Sequence, residues 1–130
     1  MALQVELVSP ERILYSGDAE MVICRSEGGD IAFLTGHAPF VGTLGIGIVR
    51  IMVSAGSPEV RAAVHGGFVE VRDNRVIILS DIAELEGQID ADRARGAAER
   101  AEQALRGGPD DAAEAALRRA QVRLDLASTP

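Results

Sequence analysis

The sequence changes grammar once, between Glu86 and Ile89, and no single regular architecture accommodates both sides of the change. Before it, short runs rich in Val and Ile alternate with turn residues. After it, β-branched residues nearly vanish, and twelve of the last 42 residues are alanine. Branched side chains lose freedom in a helix and pack well on a pleated strand, whereas alanine loses least on entering a helix. The change therefore predicts a β-domain over residues 1–86 and a helical appendage over residues 87–130.

In the first part, strands are expected over 3–8, 19–25, 47–53, 60–64, 68–71 and 75–79. Val5-Glu6-Leu7-Val8 and Phe68-Val69-Glu70-Val71 each interrupt apolar residues with a polar one, as on a half-buried strand. Turn chemistry separates the runs at Ser9-Pro10, Ser16-Gly17-Asp18, Glu27-Gly28-Gly29-Asp30, Ala55-Gly56-Ser57-Pro58 and Asp73-Asn74. The last of these joins its strands closely enough for a hairpin. Many short strands with no helix between them point to an antiparallel sandwich or barrel.

In the second part, Ala94, Ala97, Ala98, Ala101, Ala104 and Leu105 recur at helical spacing as one narrow stripe. Asp90 is placed to cap this helix, and Gly107-Gly108-Pro109 stops it. A second helix starts at Asp110 or Asp111, with Asp111 and Glu114 at capping-box spacing, and its stripe is Ala113, Ala116, Leu117, Ala120 and Leu124. Burying a methyl group removes little apolar area, at roughly 25 cal/mol per Å². A hairpin sealed by alanine should close tightly yet be held weakly, so it can leave its host domain while staying helical.

Composition narrows the function. At 130 residues, with 47% hydrophobic and 25% charged residues, the chain suits one globular domain with a small appendage. A net charge of −7 argues against nucleic acid, and 3% aromatic content argues against a base-stacking platform. The residues 1–88 carry a net −6, whereas the charge-dense tail from 89 to 130 is nearly balanced at −1. All 13 basic residues are arginine, so any chemistry that needs a lysine is excluded. No apolar run approaches the roughly 20 residues of a membrane span, and no membrane insertion is expected. Met1-Ala2-Leu3-Gln4-Val5-Glu6 has neither a basic stretch nor a long apolar run, so a secretory signal is not expected. The single cysteine, Cys24, sits in an apolar segment and reads as buried core in a reducing compartment.

Catalytic patterns are missing from this reading. His37, His65 and Cys24 have no metal-ligand spacing, and no metal site is expected. Glu84 and Glu86 read as solvated linker charges, and Gly42, Gly45 and Gly47 do not match a dinucleotide fingerprint. Two constellations remain. Gly36-His37-Ala38-Pro39 is either a rigid turn that presents His37 or an ordinary turn whose histidine satisfies backbone groups. Arg93 and Arg100, seven apart, share a helical face that Arg123 on the returning helix could approach. Converging guanidinium forks suit a polyphosphate, and Asp90 could accept from an adenine amino group or cap the helix. The other possibility is a solvated, salt-bridged surface.

The order of motifs resembles the epsilon subunit of bacterial F-type ATP synthases over nearly the whole chain. The resemblance rests on Val5-Glu6-Leu7-Val8-Ser9-Pro10-Glu11-Arg12, Tyr15-Ser16-Gly17-Asp18-Ala19, and the stretch Gly29-Asp30-Ile31-Ala32-Phe33-Leu34-Thr35-Gly36-His37-Ala38-Pro39. Gly66-Gly67-Phe68-Val69-Glu70-Val71 and Ile78-Leu79-Ser80-Asp81 follow in order, and Ile89-Asp90-Ala91-Asp92-Arg93-Ala94 resembles the family's nucleotide-binding signature. Thr35 replaces a usual proline, and Ala32 a common glycine.

The resemblance implies a ten-stranded antiparallel β-sandwich followed by a two-helix antiparallel hairpin. It implies a non-catalytic subunit at the base of the central stalk, peripheral at the cytoplasmic face of the inner membrane. Its partners would be the gamma subunit and the c-ring, with the extended helices transiently reaching the alpha and beta subunits and inhibiting ATP hydrolysis. The partner surface would include Asp30, on a nearby loop, with Gly36, His37, Ala38 and Pro39. No cofactor is required, but ATP would be a regulatory ligand held by Ile89, Asp90, Arg93 and Ala94 and, by position, Glu84, Arg100 and Arg123. Readings outside the family are a stand-alone ligand-binding sandwich, an unrecognised β-barrel enzyme, and an assembly or chaperone-like interaction protein.

Overall fold

A computed structural model of the chain describes residues 2–128. Eight strands, a single 3-10 turn at Glu86–Gln88 and two helices follow one another. They are β1 (Leu3–Ser9), β2 (Arg12–Ala19), β3 (Met21–Ser26), β4 (Gly29–Leu34), β5 (Phe40–Met52), β6 (Val60–Arg72), β7 (Arg75–Leu79), β8 (Ala83–Leu85), α1 (Ala91–Arg106) and α2 (Asp111–Ser128). The strands run in the order β2-β1-β7-β6-β5-β3-β4, with β8 also paired to β6.

The expected ten strands appear here as eight, because the two longest are shared between layers. The C-terminal part of β6 pairs with β7, and its N-terminal part pairs with β8. β5 accompanies β6 along both parts, and β3 pairs chiefly with the C-terminal end of β5. Counting β5 and β6 once in each layer restores two layers of five strands. The pairing is antiparallel as expected except at one place, where β1 and β7 run parallel.

The crossing from layer to layer occurs where Leu44 pairs with Gly67 and Ile46 with His65, leaving Gly45 and Gly66 out of the ladder. Before the crossing, Ala62 and Val64 of β6 face the core; after it, Val69 and Val71 do. That one-residue change of phase turns the inward face over, as a bulge does. Gly67 is obligatory there: its φ is 134°, and a Cβ would lie 2.1 Å from the carbonyl oxygen of Leu79. Ser80, 3% exposed, pins the crossing through its hydroxyl, which lies 2.6 Å from the Gly66 oxygen and 2.9 Å from that of Ile82.

Inside, Leu3, Val5 and Leu7 of β1, Val76 and Ile78 of β7, and Val69 and Val71 of β6 meet Val22, Cys24, Phe33, Val49 and Ile51. This cluster contains no residue of either helix. Cys24 is fully buried, and burial pushes its thiol pKa up to about 12, so it stays protonated.

Ser16-Gly17-Asp18, expected to be a turn, lies inside β2, paired with Glu6, Val5 and Gln4. Tyr15 folds back so that its hydroxyl donates to the Asp18 oxygen at 2.8 Å, passing close over Gly17. Asp73-Asn74 does form the tight hairpin turn; both residues have positive φ, 50° and 59°, as a type I′ turn requires.

The helices pack on the outside. α2 rests on β5 and β6, and α1 rests on α2. Ala94, Ala98 and Ala101 of α1 and Ala113 and Ala120 of α2 are buried, whereas Ala104 is exposed. Asp90 caps α1 by accepting from the Arg93 N–H at 3.1 Å. The cap of α2 is Asp110, accepting from Ala113 at 3.0 Å, so the box centred on Asp111 does not form.

Candidate functional site

The start of α1 positions the first group of residues. Ile89 and Ala94 occupy the two positions of a hydrophobic staple around the Asp90 cap, which explains why an apolar residue, an acid and a small residue stand at that spacing. Ala94 is 3% exposed. With the entry angle fixed, Arg93 and Arg100 fall on the same side of α1, about 10 Å apart along its axis.

They border a cleft of about 310 Å³ lined by Glu84, Gln88, Asp90, Arg93, Ala94, Ala97, Arg100 and Arg123. This volume lies at the lower end of the roughly 300–1,000 Å³ of small-molecule sites. Of the seven residues expected to act together, six line it; Ile89 does not. Gln88 and Ala97 were not foreseen. Gln88 belongs here because its side-chain oxygen accepts from the Leu85 N–H at 3.0 Å and from Arg12, which fixes the linker against β2.

The electrostatics are asymmetric. Arg123 is committed, donating from Nε to Glu84 Oε1 at 2.6 Å. Arg93 and Arg100 have no carboxylate partner within 4 Å among the described residues, and Arg93 lies in the first turn of α1, where unsatisfied N–H groups favour anions. Gly96 leaves room for Arg100 to lie along the helix: a Cβ there would be 3.3 Å from its Nη1. The arrangement suits an anionic ligand whose phosphates meet the two uncommitted guanidinium groups.

Sequence reasoning missed His65. Its side chain is 1% exposed, and Nε2 lies 3.1 Å from the same Glu84 oxygen that Arg123 reaches. Burial alone would raise the Glu84 pKa, but the hydrogen bonds from Arg123 and His65 outweigh it and hold the carboxyl below its ordinary value. A signal for His65 existed in its position just before Gly66-Gly67, but its partner is 19 residues away.

The second group divides. Gly36 has φ 86°, and its N–H donates to the Asn74 side chain at 2.7 Å, tying this loop to the β6–β7 turn. His37 is half-buried, with Nδ1 2.7 Å from the Ala38 oxygen and its ring edge-on to Phe33 at 5.0 Å. Ala38 and Pro39 are exposed. Asp30, expected on a nearby loop, is the second residue of β4 and faces Arg25 at 3.4 Å. A strand length of about 20 Å, at 3.3 Å per residue, separates it from Gly36–Pro39, so the two do not form one patch.

A β-sandwich that closes its own core and carries a separately packed helical hairpin, with an anion-suited cleft at the seam, is the class of protein that this geometry defines. Two family models divide the chain in the same way: the β-sandwich domain of the ATP synthase delta/epsilon chain matches residues 2–86, and its long α-helix domain matches residues 88–128. The chain belongs to the ATP synthase delta/epsilon chain family, among its epsilon chains. It is 50% identical over 103 residues to the ATP synthase epsilon chain of Brevibacillus brevis, covering 79% of this chain and 77% of that one. It is 46% identical over 129 residues to that of Bacillus pumilus, covering 96% of each. Among solved structures, a chain in the cryo-EM structure of Euglena gracilis mitochondrial ATP synthase, with OSCP, F1 and c-ring, superimposes with a TM-score of 0.81 at 25% identity, covering 97% of this chain and 81% of that one. No helix among the described residues is long and apolar enough to cross a membrane.

Proposed function

We propose that this chain is a non-catalytic central-stalk subunit of a proton-translocating ATP synthase, peripheral at the cytoplasmic face of the membrane. Its sandwich docks on the gamma subunit and c-ring, with the Gly36–Pro39 loop in the partner surface and Asp30 in a separate contact. Its hairpin docks on the sandwich or extends toward the alpha and beta subunits, where it inhibits ATP hydrolysis. ATP is a regulatory ligand that favours the docked form.

The observation that carries this reading is the independence of the sandwich core from both helices. A hairpin that contributes nothing to that core can leave without unfolding its host, and its alanine seam supplies little area to hold it. A ligand that binds only the docked form stabilises it by mass action, about 2.7 kcal/mol at a hundred times its dissociation constant. The cleft supports such a ligand because it is built from both parts: Glu84 from the sandwich, Arg93 and Arg100 from α1, and Arg123 from α2.

The test is to add the purified chain to an ATP synthase complex depleted of its epsilon subunit. Restored coupling and lowered hydrolysis are expected, with inhibition relieved by millimolar ATP. Failure to bind the depleted complex overturns the stalk reading. Absence of binding heat with millimolar ATP overturns the regulatory one.

A further inference from the structure

His65 lies on β6 directly before the layer crossing, on the outward face that also carries Arg61 and Ala63. Each element around it supplies a defined neighbour. β8 presents Glu84, and its approach is fixed by the His65 N–H donating to the Ile82 oxygen at 3.0 Å. β5 pairs the apolar Ile46 with it. α2 brings two positive groups, Arg123 and Arg119, close enough to disfavour a second charge. On the same face Arg61 is engaged by Glu86 of the 3-10 turn at 2.6 Å.

The ring itself is half satisfied. Nε2 faces the Glu84 carboxylate, while Nδ1 is buried with no hydrogen-bond partner among the described residues. A neutral imidazole fits this setting: Nε2–H donates to Glu84, and Nδ1 keeps a bare lone pair. An imidazolium does not fit. Its second N–H would point where no acceptor stands, beneath two arginines.

We infer that His65 is a positioning residue and proton-operated latch, which when neutral holds Glu84 toward Arg123 and the cleft and when protonated releases α2 from the sandwich. Burial lowers its proton affinity below the ordinary 6.5; the Glu84 hydrogen bond opposes this, and Arg123 and Arg119 reinforce it. When the hairpin leaves, so do the cover and both arginines, and the ring recovers its affinity. The undocked form then binds the proton more readily. Docking is therefore strongest above pH 6.5 and weakens as the pH falls below it, by at most about tenfold per pH unit for one proton. Glu84 does not titrate in that window, because its carboxyl is held below the ordinary 4.5.

The hairpin arm of this inference stands without any nucleotide; only the consequence for ATP rests on the proposed function. The experiment uses the full chain with spin labels on the exposed positions of Glu70→Cys and Gln103→Cys, and measures their distance distribution from pH 7.5 to 5 without ligand. The docked distance should give way to longer ones as the pH falls below 6.5. In the His65→Gln background, which keeps an N–H donor but does not titrate, the distribution should not change with pH. Identical pH responses in the two backgrounds overturn the latch. Nitrogen-detected NMR of the unsubstituted chain supplies a check that does not depend on the variant's folding. The Nε2–H tautomer and a midpoint below 6.5 are expected, and the Nδ1–H tautomer or a midpoint at or above 6.5 overturns the inference. Calorimetry with ATP at pH 7.5 and 5.5 separates the two readings. A pH-dependent distance without ATP heat removes the nucleotide site and leaves the latch; ATP heat with a pH-independent distance does the reverse.

Discussion

Arg123 of α2 donates to Glu84 of β8 at 2.6 Å, joining the last helix to the last strand across 39 residues of sequence. Both side chains are about three-quarters buried, so water screens the pair incompletely. The contact couples the two parts of the molecule and shapes the cleft between them.

Arg123→Ala should therefore weaken hairpin docking by about 1–3 kcal/mol, the cost of leaving one partner of a charged hydrogen bond partly buried and alone. Label-to-label distances across the seam should report an undocked population, while the urea midpoint of the sandwich should stay unchanged.

Leu126 is fully buried at the end of α2, where most other buried hairpin side chains are alanine. Leu126→Ala should cost about 2–5 kcal/mol through lost transfer energy and the cavity left behind. Because Leu126 is outside the sandwich core, the loss should appear as faster proteolysis of α2 and not as a lower melting temperature of the β-domain.

Gly96 separates helix stability from ligand binding. Gly96→Ala should favour α1 by about 1 kcal/mol through propensity alone. The new Cβ would approach Arg100 Nη1 at 3.3 Å, so the guanidinium must move. A more helical protein with several-fold weaker ATP binding by calorimetry is expected.

Gly67 tests the layer crossing. With φ at 134° and a Cβ landing 2.1 Å from the Leu79 oxygen, Gly67→Ala should destabilise the sandwich by about 3 kcal/mol or more. Urea denaturation followed by far-ultraviolet circular dichroism gives the value.

The parts of this molecule that were legible in its sequence are those governed by local chemistry. The Asp73-Asn74 turn, the Asp90 cap and most of the two alanine stripes each follow from neighbouring residues, and the structure has them, with Ala104 exposed as the exception. Where the decision was made at long range, local chemistry misled. Ser16-Gly17-Asp18 carries turn residues, but pairing with β1 makes it a strand. β4 was not foreseen, because Asp30-Ile31-Ala32 became a strand only by pairing with β3. The parallel β1–β7 pair and the crossing at Gly45 and Gly66 depend on partners tens of residues distant. The cleft was legible as spacing on α1, since residues seven apart share a face. His65 was not, because its role depends on Glu84 and on α2 lying over it.

Native-state hydrogen exchange on the intact chain, with and without ATP, tests the separability of the hairpin most directly. Without ATP, amides of α1 and α2 should open at a lower free energy than those of β1 and β7, because short helices released from packing are marginal in water. Saturating ATP should raise protection in the helices and leave β1 and β7 unchanged. Equal opening free energies for helices and strands, unmoved by ATP, would mean that the chain unfolds as one unit and would contradict the account.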